Sequence, residues 1–102
     1  MRKTVSTNIE LHNKILVELH KIYAEKNKKY GNSFVESMKE WGFTALSIRL
    51  TDKFLRAKQL IHDKNDKIKN ETDESLRDTL MDMANYCLMG VMVLDEENER
   101  SL

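Results

Sequence analysis

The chain has 102 residues and a mass of 12.0 kDa, with 17 Lys+Arg against 17 Asp+Glu. That is enough for one domain, near the lower limit for a core without staples. Zero net charge excludes bulk attraction to nucleic acid or to an anionic membrane. A single cysteine, Cys87, excludes an internal disulfide and a Cys-rich zinc site.

No Pro and only three Gly remove the punctuation that many short strands need, and the Lys, Glu, Leu and Met that remain favour helices. The polar segment Met1 to Ile9 lacks the apolar stretch of a secretory signal, and no apolar run approaches the roughly 18 residues of a membrane span. A reducing, cytoplasmic location is expected, with no membrane partner. The pattern predicts a single all-α domain over 1–102: three long helices and one short one, frayed tails at 1–7 and 96–102, and a core completed by homo-oligomerisation.

From Asn8 to Lys28, Ile9, His12, Leu16, Leu19 and Tyr23 recur at helical spacing, which predicts the first helix. Tyr30, Gly31 and Asn32 end it, Gly31 being free to take a positive φ. Ser33 and Glu36 have capping-box spacing, so a short helix is expected from Phe34 to Glu40, interrupted at Gly42. Trp41 beside that break reads as a packing anchor. Phe43, Leu46, Leu50, Phe54, Ala57 and Ile61 predict a second long helix and its core stripe. His62 to Glu71 reads as a loop. Thr72 and Asp73 suit the N-cap of the last helix, whose expected core face is Leu76, Leu80, Met83, Ala84, Cys87, Val91 and Leu94. Cys87 on that face is expected to be a buried, inert thiol.

Two polar stripes remain. At about 100° per residue, Glu74, Asp78, Asp82 and Asn85 share one line of the last helix, opposite the Leu80/Cys87 face. Like charges one turn apart repel by a few tenths of a kcal/mol unless a cation lies between them, and Mg²⁺ takes carboxylate oxygens while keeping waters and phosphates as its other ligands. The alternative is a solvated outer face. The same line continues into Met89, Met92 and Val93, so the helix becomes apolar all round and is expected to be covered on both sides. On the preceding helix Arg49, Asp52, Lys53 and Arg56 line one flank. Two Arg forks and a Lys suit a polyphosphate, or the flank pairs with the acidic stripe. His12, His20 and His62 share no metal-ligand spacing.

Three blocks carry a resemblance: Lys29-Tyr30-Gly31-Asn32-Ser33-Phe34; Arg49-Leu50-x-Asp52-Lys53-x-x-Arg56; and Asp73-Glu74-Ser75-x-x-Asp78-Thr79-Leu80-Met81-Asp82-Met83-Ala84-Asn85-Tyr86. Over about residues 20–94 the chain resembles the nucleotide-modification-associated domain family of phages and bacteria. That family is in turn similar to the all-α nucleoside triphosphate pyrophosphatases, the MazG-like enzymes and dimeric dUTPases, which bind Mg²⁺ through Glu-x-x-Glu and Glu-x-x-Asp on successive helices and release pyrophosphate. This chain departs from that pattern. It has no Glu-x-x-Glu on the helix carrying Arg49, and Asp78-x-x-x-Asp82 stands where Glu-x-x-Asp belongs.

The resemblance implies a Mg²⁺-dependent nucleotide-binding protein of the NTP pyrophosphohydrolase kind. Asp78 and Asp82 would be catalytic, with Asp52 and Glu74 joining them as metal ligands. Arg49, Lys53 and Arg56 would neutralise phosphate, and Tyr30, Asn32 and Asn85 would contact base or sugar. Two alternatives stay open: a phage counter-defence protein that captures a nucleotide or nucleotide-derived signal without cleaving it, and a helical adaptor that binds a protein partner through Met81, Met89 and Met92.

Overall fold

The computed structural model describes residues 7–65 and 70–101. Among them are four α-helices: α1 (Asn8–Tyr30), α2 (Ser33–Trp41), α3 (Thr44–Asn65) and α4 (Asn70–Ser101). The all-α expectation holds. The chain divides into two compact units, residues 1–31 and 32–102.

In the first unit, Thr7 caps α1: its Oγ1 accepts from the Glu10 backbone N–H at 3.1 Å. Glu10 in the first turn and Lys28 and Lys29 in the last match the helix dipole. Gly31 closes the helix at φ 68°, its N–H donating to the Asn27 carbonyl at 2.7 Å, as the sequence predicts.

In the second unit α2 starts one residue earlier than predicted. Asn32, not Ser33, stands at the N-cap, and no side chain caps that end; the expected capping box does not form. Gly42 stops α2 at φ 76°, donating to the Met38 carbonyl at 2.7 Å. The predicted loop is largely helix instead. His62 to Asn65 extend α3, and Asn70, Glu71 and Thr72 already belong to α4, so neither Thr72 nor Asp73 is its cap; 66–69 lie outside the described residues. With no Gly or Pro between 62 and 72, the polar run has nothing to break a helix. An ion pair between Lys64 and Asp73 links the two helices here. The expected tail beyond Glu96 is also helical, to Ser101.

Val35 and Met38 of α2 and Val93 of α4 form a small core, packed against by Phe34, Ala45, Leu46 and Met89. Phe34 meets Tyr86 edge-on, with ring centroids 4.7 Å apart. Gly90 lets α3 approach α4 closely: a Cβ there would lie 2.7 Å from Leu46 Cδ2. Further along, Lys53 pairs with Asp82 and Arg56 with Thr79, so α3 and α4 run antiparallel.

This contact turns the buried faces away from the expected ones without reversing them. In α4 the buried residues are Thr79, Met81, Asn85, Gly90 and Val93: Met81, Asn85 and Val93 lie on or beside the line expected to be opposite the core, and Thr79 and Gly90 lie between that line and the expected core face, of which Leu76, Met83 and Ala84 are half-buried. Leu80 is 50% exposed, Val91 52% and Leu94 48%, and Cys87 is exposed. In α3 Ala57 is buried and Leu46 and Leu50 half-buried, while Phe54 is 57% exposed and Phe43 and Ile61 are also exposed. Periodicity finds an apolar face correctly but cannot say whether that face meets the neighbouring helix of the same chain.

Candidate functional site

The charged seam between α3 and α4 is built by register. Arg49, Lys53 and Arg56 recur every three or four residues, so they fall within about 60° on α3. Lys53 Nζ lies 3.3 Å from Asp82 Oδ2, both side chains about one-third exposed. In that setting the pair contributes up to about 1 kcal/mol. One turn along α3, Arg56 Nε donates to Thr79 Oγ1 at 3.2 Å, and the Thr79 hydroxyl donates to the Ser75 carbonyl at 2.8 Å. Thr79 is 3% exposed, so its hydroxyl satisfies itself locally while fixing the guanidinium. Asn85, one turn beyond Asp82, is buried.

The remaining predicted residues separate into groups. Asp52, Glu74 and Asp78 are exposed, as is Arg49. Among the described residues no three His, Cys, Asp or Glu side chains come together as a metal-binding group. Asn32 sits at the N-cap of α2, exposed. Tyr30 belongs to the other unit, where it is 61% exposed and lies under the Lys29 ammonium at 5.3 Å. All three histidines are exposed.

Arg49 also lines an open groove between α2 and α3, of about 620 Å³, with Phe34, Ser37, Trp41, Thr44, Ala45 and Ile48. Trp41 is 71% exposed, so it is no packing anchor. It stands on the last turn of α2, where Gly42 ends the helix before the indole meets a neighbour. The groove combines an aromatic plane, hydroxyls and a guanidinium. Thr79 and the groove residues other than Arg49 have no functional role in the sequence reading. The signal that was available for the groove was a large aromatic beside a helix-ending glycine.

The adaptor surface changes too. Met81 is buried and Met89 half-buried, leaving Met92 exposed at 46%, so these three do not present one methionine surface. No helix among the described residues is long and apolar enough to cross a membrane.

The fold and seam define an all-helical domain with a cationic flank, an adjoining aromatic groove and a parallel line of carboxylates. A family model described as nucleotide modification associated domain 1 matches residues 26–94, and the chain belongs to that family. The match spans every predicted site residue, from Tyr30 to Asn85. No curated protein and no solved structure matches the chain.

Proposed function

We propose that this protein binds a nucleoside polyphosphate along α3 and acts on it as a Mg²⁺-dependent NTP pyrophosphohydrolase. The observation that carries the reading is the Lys53–Asp82 pair at 3.3 Å, flanked by Arg49 and Arg56. A metal-bound phosphate satisfies both partners of such a pair at once: the phosphate takes the ammonium and the cation takes the carboxylate. From Arg49 to Arg56 is about seven residue steps, about 10 Å of helix, a run suited to a chain of phosphates. The groove beside Arg49 receives the base, with Trp41 as the stacking surface and Ser37 and Thr44 as hydrogen-bonding groups.

The donor set fits a cation that arrives with the nucleotide. Without three convergent ligands among the described residues there is no protein cage, but Mg²⁺ on a nucleotide needs only one or two carboxylates. Asp82 and Asp78 would supply them, with Asp52 and Glu74 as neighbouring carboxylates. When bound, the ion neutralises phosphate charge and supplies an activated water. Lys53 and Arg56 orient the phosphates, and Thr79 holds Arg56 in place to do so. Asn85 and Asn32 are the remaining candidates for sugar or base contacts, as is Tyr30 on its own unit. The setting implied is nucleotide metabolism in a phage or its host.

Capture without cleavage is the second reading. It is favoured by the same absence of converging carboxylates, which leaves no third group to hold a water in line for attack.

The test incubates the full chain with each common (d)NTP, with and without Mg²⁺, and follows pyrophosphate release together with the melting temperature. Expected are stabilisation by Mg²⁺ and nucleotide together, none by Mg²⁺ alone, and pyrophosphate release that disappears in Asp82→Ala. Stabilisation without release establishes capture. No response in either readout overturns nucleotide binding.

A further inference from the structure

The groove and the charged seam share Arg49 and then part. Arg49 lines the groove with Phe34 and Trp41, whereas Lys53 and Arg56 do not; along α3 these two stand about 6 and 10 Å beyond it. The antiparallel register sets what α4 offers at each level. Asp82 meets Lys53 and Thr79 meets Arg56. Tyr86 stands level with Arg49, its ring edge-on to Phe34 of the groove wall. The α4 carboxylates of the candidate site, Asp82, Asp78 and Glu74, therefore all lie at or beyond the Lys53 level, away from the groove.

The far end is also the one with fixed geometry. Arg56 is held through its Nε–H alone, on the hydroxyl of buried Thr79, which is itself tied to the Ser75 carbonyl. Among the described residues neither Nη group of Arg56 has a protein partner, so the outer edge of the fork is presented in a set direction. Lys53 sits one turn back, opposite Asp82. The step from Lys53 to Arg56 is about 4.5 Å of helix, a span that two adjoining phosphates bridge. Arg49, by contrast, is exposed and without a partner among the described residues.

We propose that inorganic pyrophosphate, carried with Mg²⁺, is a ligand of this far end in its own right, bound by Lys53, Arg56 and Asp82 with no nucleoside in the groove. The proposal rests on the α3 flank being a phosphate site, and not on cleavage. Two phosphates suit this end better than one. One takes the Arg56 fork and the other the Lys53 ammonium, and the accompanying cation answers the Asp82 carboxylate, which alone would repel the ligand. A nucleoside monophosphate seated in the groove reaches Arg49 alone and lies away from the α4 carboxylates. The consequence is regulatory, because pyrophosphate excludes a nucleoside triphosphate from the same cations. In hydrolysis water adds to the α-phosphorus and the bond to the bridging oxygen breaks. That oxygen departs with the β- and γ-phosphates, and the proton goes to solvent. The monophosphate then leaves the open groove first and pyrophosphate stays, so continued turnover needs a separate reaction that hydrolyses pyrophosphate.

Trp41 is the one tryptophan of the sequence and stands in the groove, so its fluorescence reports the groove while calorimetry reports any binding. The full chain is titrated with Mg²⁺-pyrophosphate, with each nucleoside monophosphate, and with α,β-methylene analogues of the triphosphates, which are not cleaved. Pyrophosphate is expected to bind at least about tenfold more tightly than any monophosphate. It should leave Trp41 fluorescence unchanged and reverse the quenching caused by a triphosphate analogue. Arg56→Ala should weaken pyrophosphate binding at least about tenfold and alter monophosphate binding by less than about twofold, and Arg49→Ala should do the opposite. Both side chains are exposed, so both variants should keep the helical circular dichroism of the parent. Pyrophosphate binding no tighter than a monophosphate, or indifferent to Arg56, overturns the proposal. Triphosphate quenching of Trp41 without pyrophosphate binding also overturns it and leaves the nucleotide reading standing. Pyrophosphate binding without quenching by any triphosphate sustains it and overturns the placing of the base in the groove.

Discussion

Thr79 shows how a single hydroxyl links sequence to site. As a β-branched residue with a local acceptor one turn back, it bonds the Ser75 carbonyl at little cost to the helix, and its oxygen is then aimed at Arg56. Replacing it by Val keeps the shape and removes both bonds. Because the guanidinium can turn to water, Thr79→Val is expected to cost about 1 kcal/mol in urea unfolding. It should also weaken nucleotide-dependent stabilisation by freeing Arg56. Arg49 gives the sharper ligand test. It lies outside the Lys53–Asp82 and Arg56–Thr79 contacts, so Arg49→Ala should leave stability within about 0.5 kcal/mol. Loss of a charge-assisted phosphate contact should raise the nucleotide Kd at least tenfold by calorimetry. The charged members of the site were legible because Arg49, Lys53, Arg56, Asp78 and Asp82 declare themselves by charge and spacing. Thr79 was not, since a threonine in a helix carries no mark of its partner on another helix. Trp41 was misread because apolar residues default to burial, while its place beside Gly42 puts it past the end of the core.

At the scale of the elements, glycine positions were the firmest signal and polar runs the weakest. Gly31 and Gly42 both end helices at positive φ, with ψ of −157° and −173°, a region open essentially to Gly alone. Nothing lies within 4 Å of the place a Cβ would take at Gly42, so the cost of Gly42→Ala is backbone strain and not a clash. We expect a loss of about 1–3 kcal/mol, measured by thermal unfolding. Gly90→Val should also destabilise, for a different reason: its side chain meets Leu46, and combining it with Leu46→Ala should recover part of the loss. The stretch from His62 to Glu71 was read as a loop from polarity alone. Lys, Asp and Glu are compatible with a helix, however, and His62 to Asn65 and Asn70 to Glu71 are helical. The buried face of α4 is turned away from the expected one for a related reason. Its residues from Leu88 to Leu94 are apolar on all sides except at Gly90, so composition there did not select a side, and the seam with α3 did.

For the whole molecule, the decisive quantity is how stability depends on concentration. A monomer of this length has a melting temperature fixed by its own contacts, independent of how much protein is present. If the apolar residues that the α3/α4 hairpin leaves exposed, Phe54, Leu80, Val91 and Leu94 among them, are buried by a second copy, folding and association are one equilibrium, and mass action stabilises the folded chain as concentration rises. A tenfold increase adds about 1.4 kcal/mol per dimer. Set against an unfolding entropy of about 2 cal/mol/K per residue summed over two chains, it should raise the melting temperature by about 3 °C. Calorimetry at about 5, 50 and 500 μM reads this directly. The same series on Val91→Glu should be flat and sit at or below the lowest wild-type value, because the variant keeps the seam but loses the partner. Adding nucleotide with Mg²⁺ should then raise both curves by the same amount, since the α3 flank proposed to bind phosphate and the apolar side of the hairpin are separate surfaces. A nucleotide shift present only in the dimer would instead mean that assembly organises Arg49, Lys53 and Arg56 for binding, coupling the two events by the difference between the shifts.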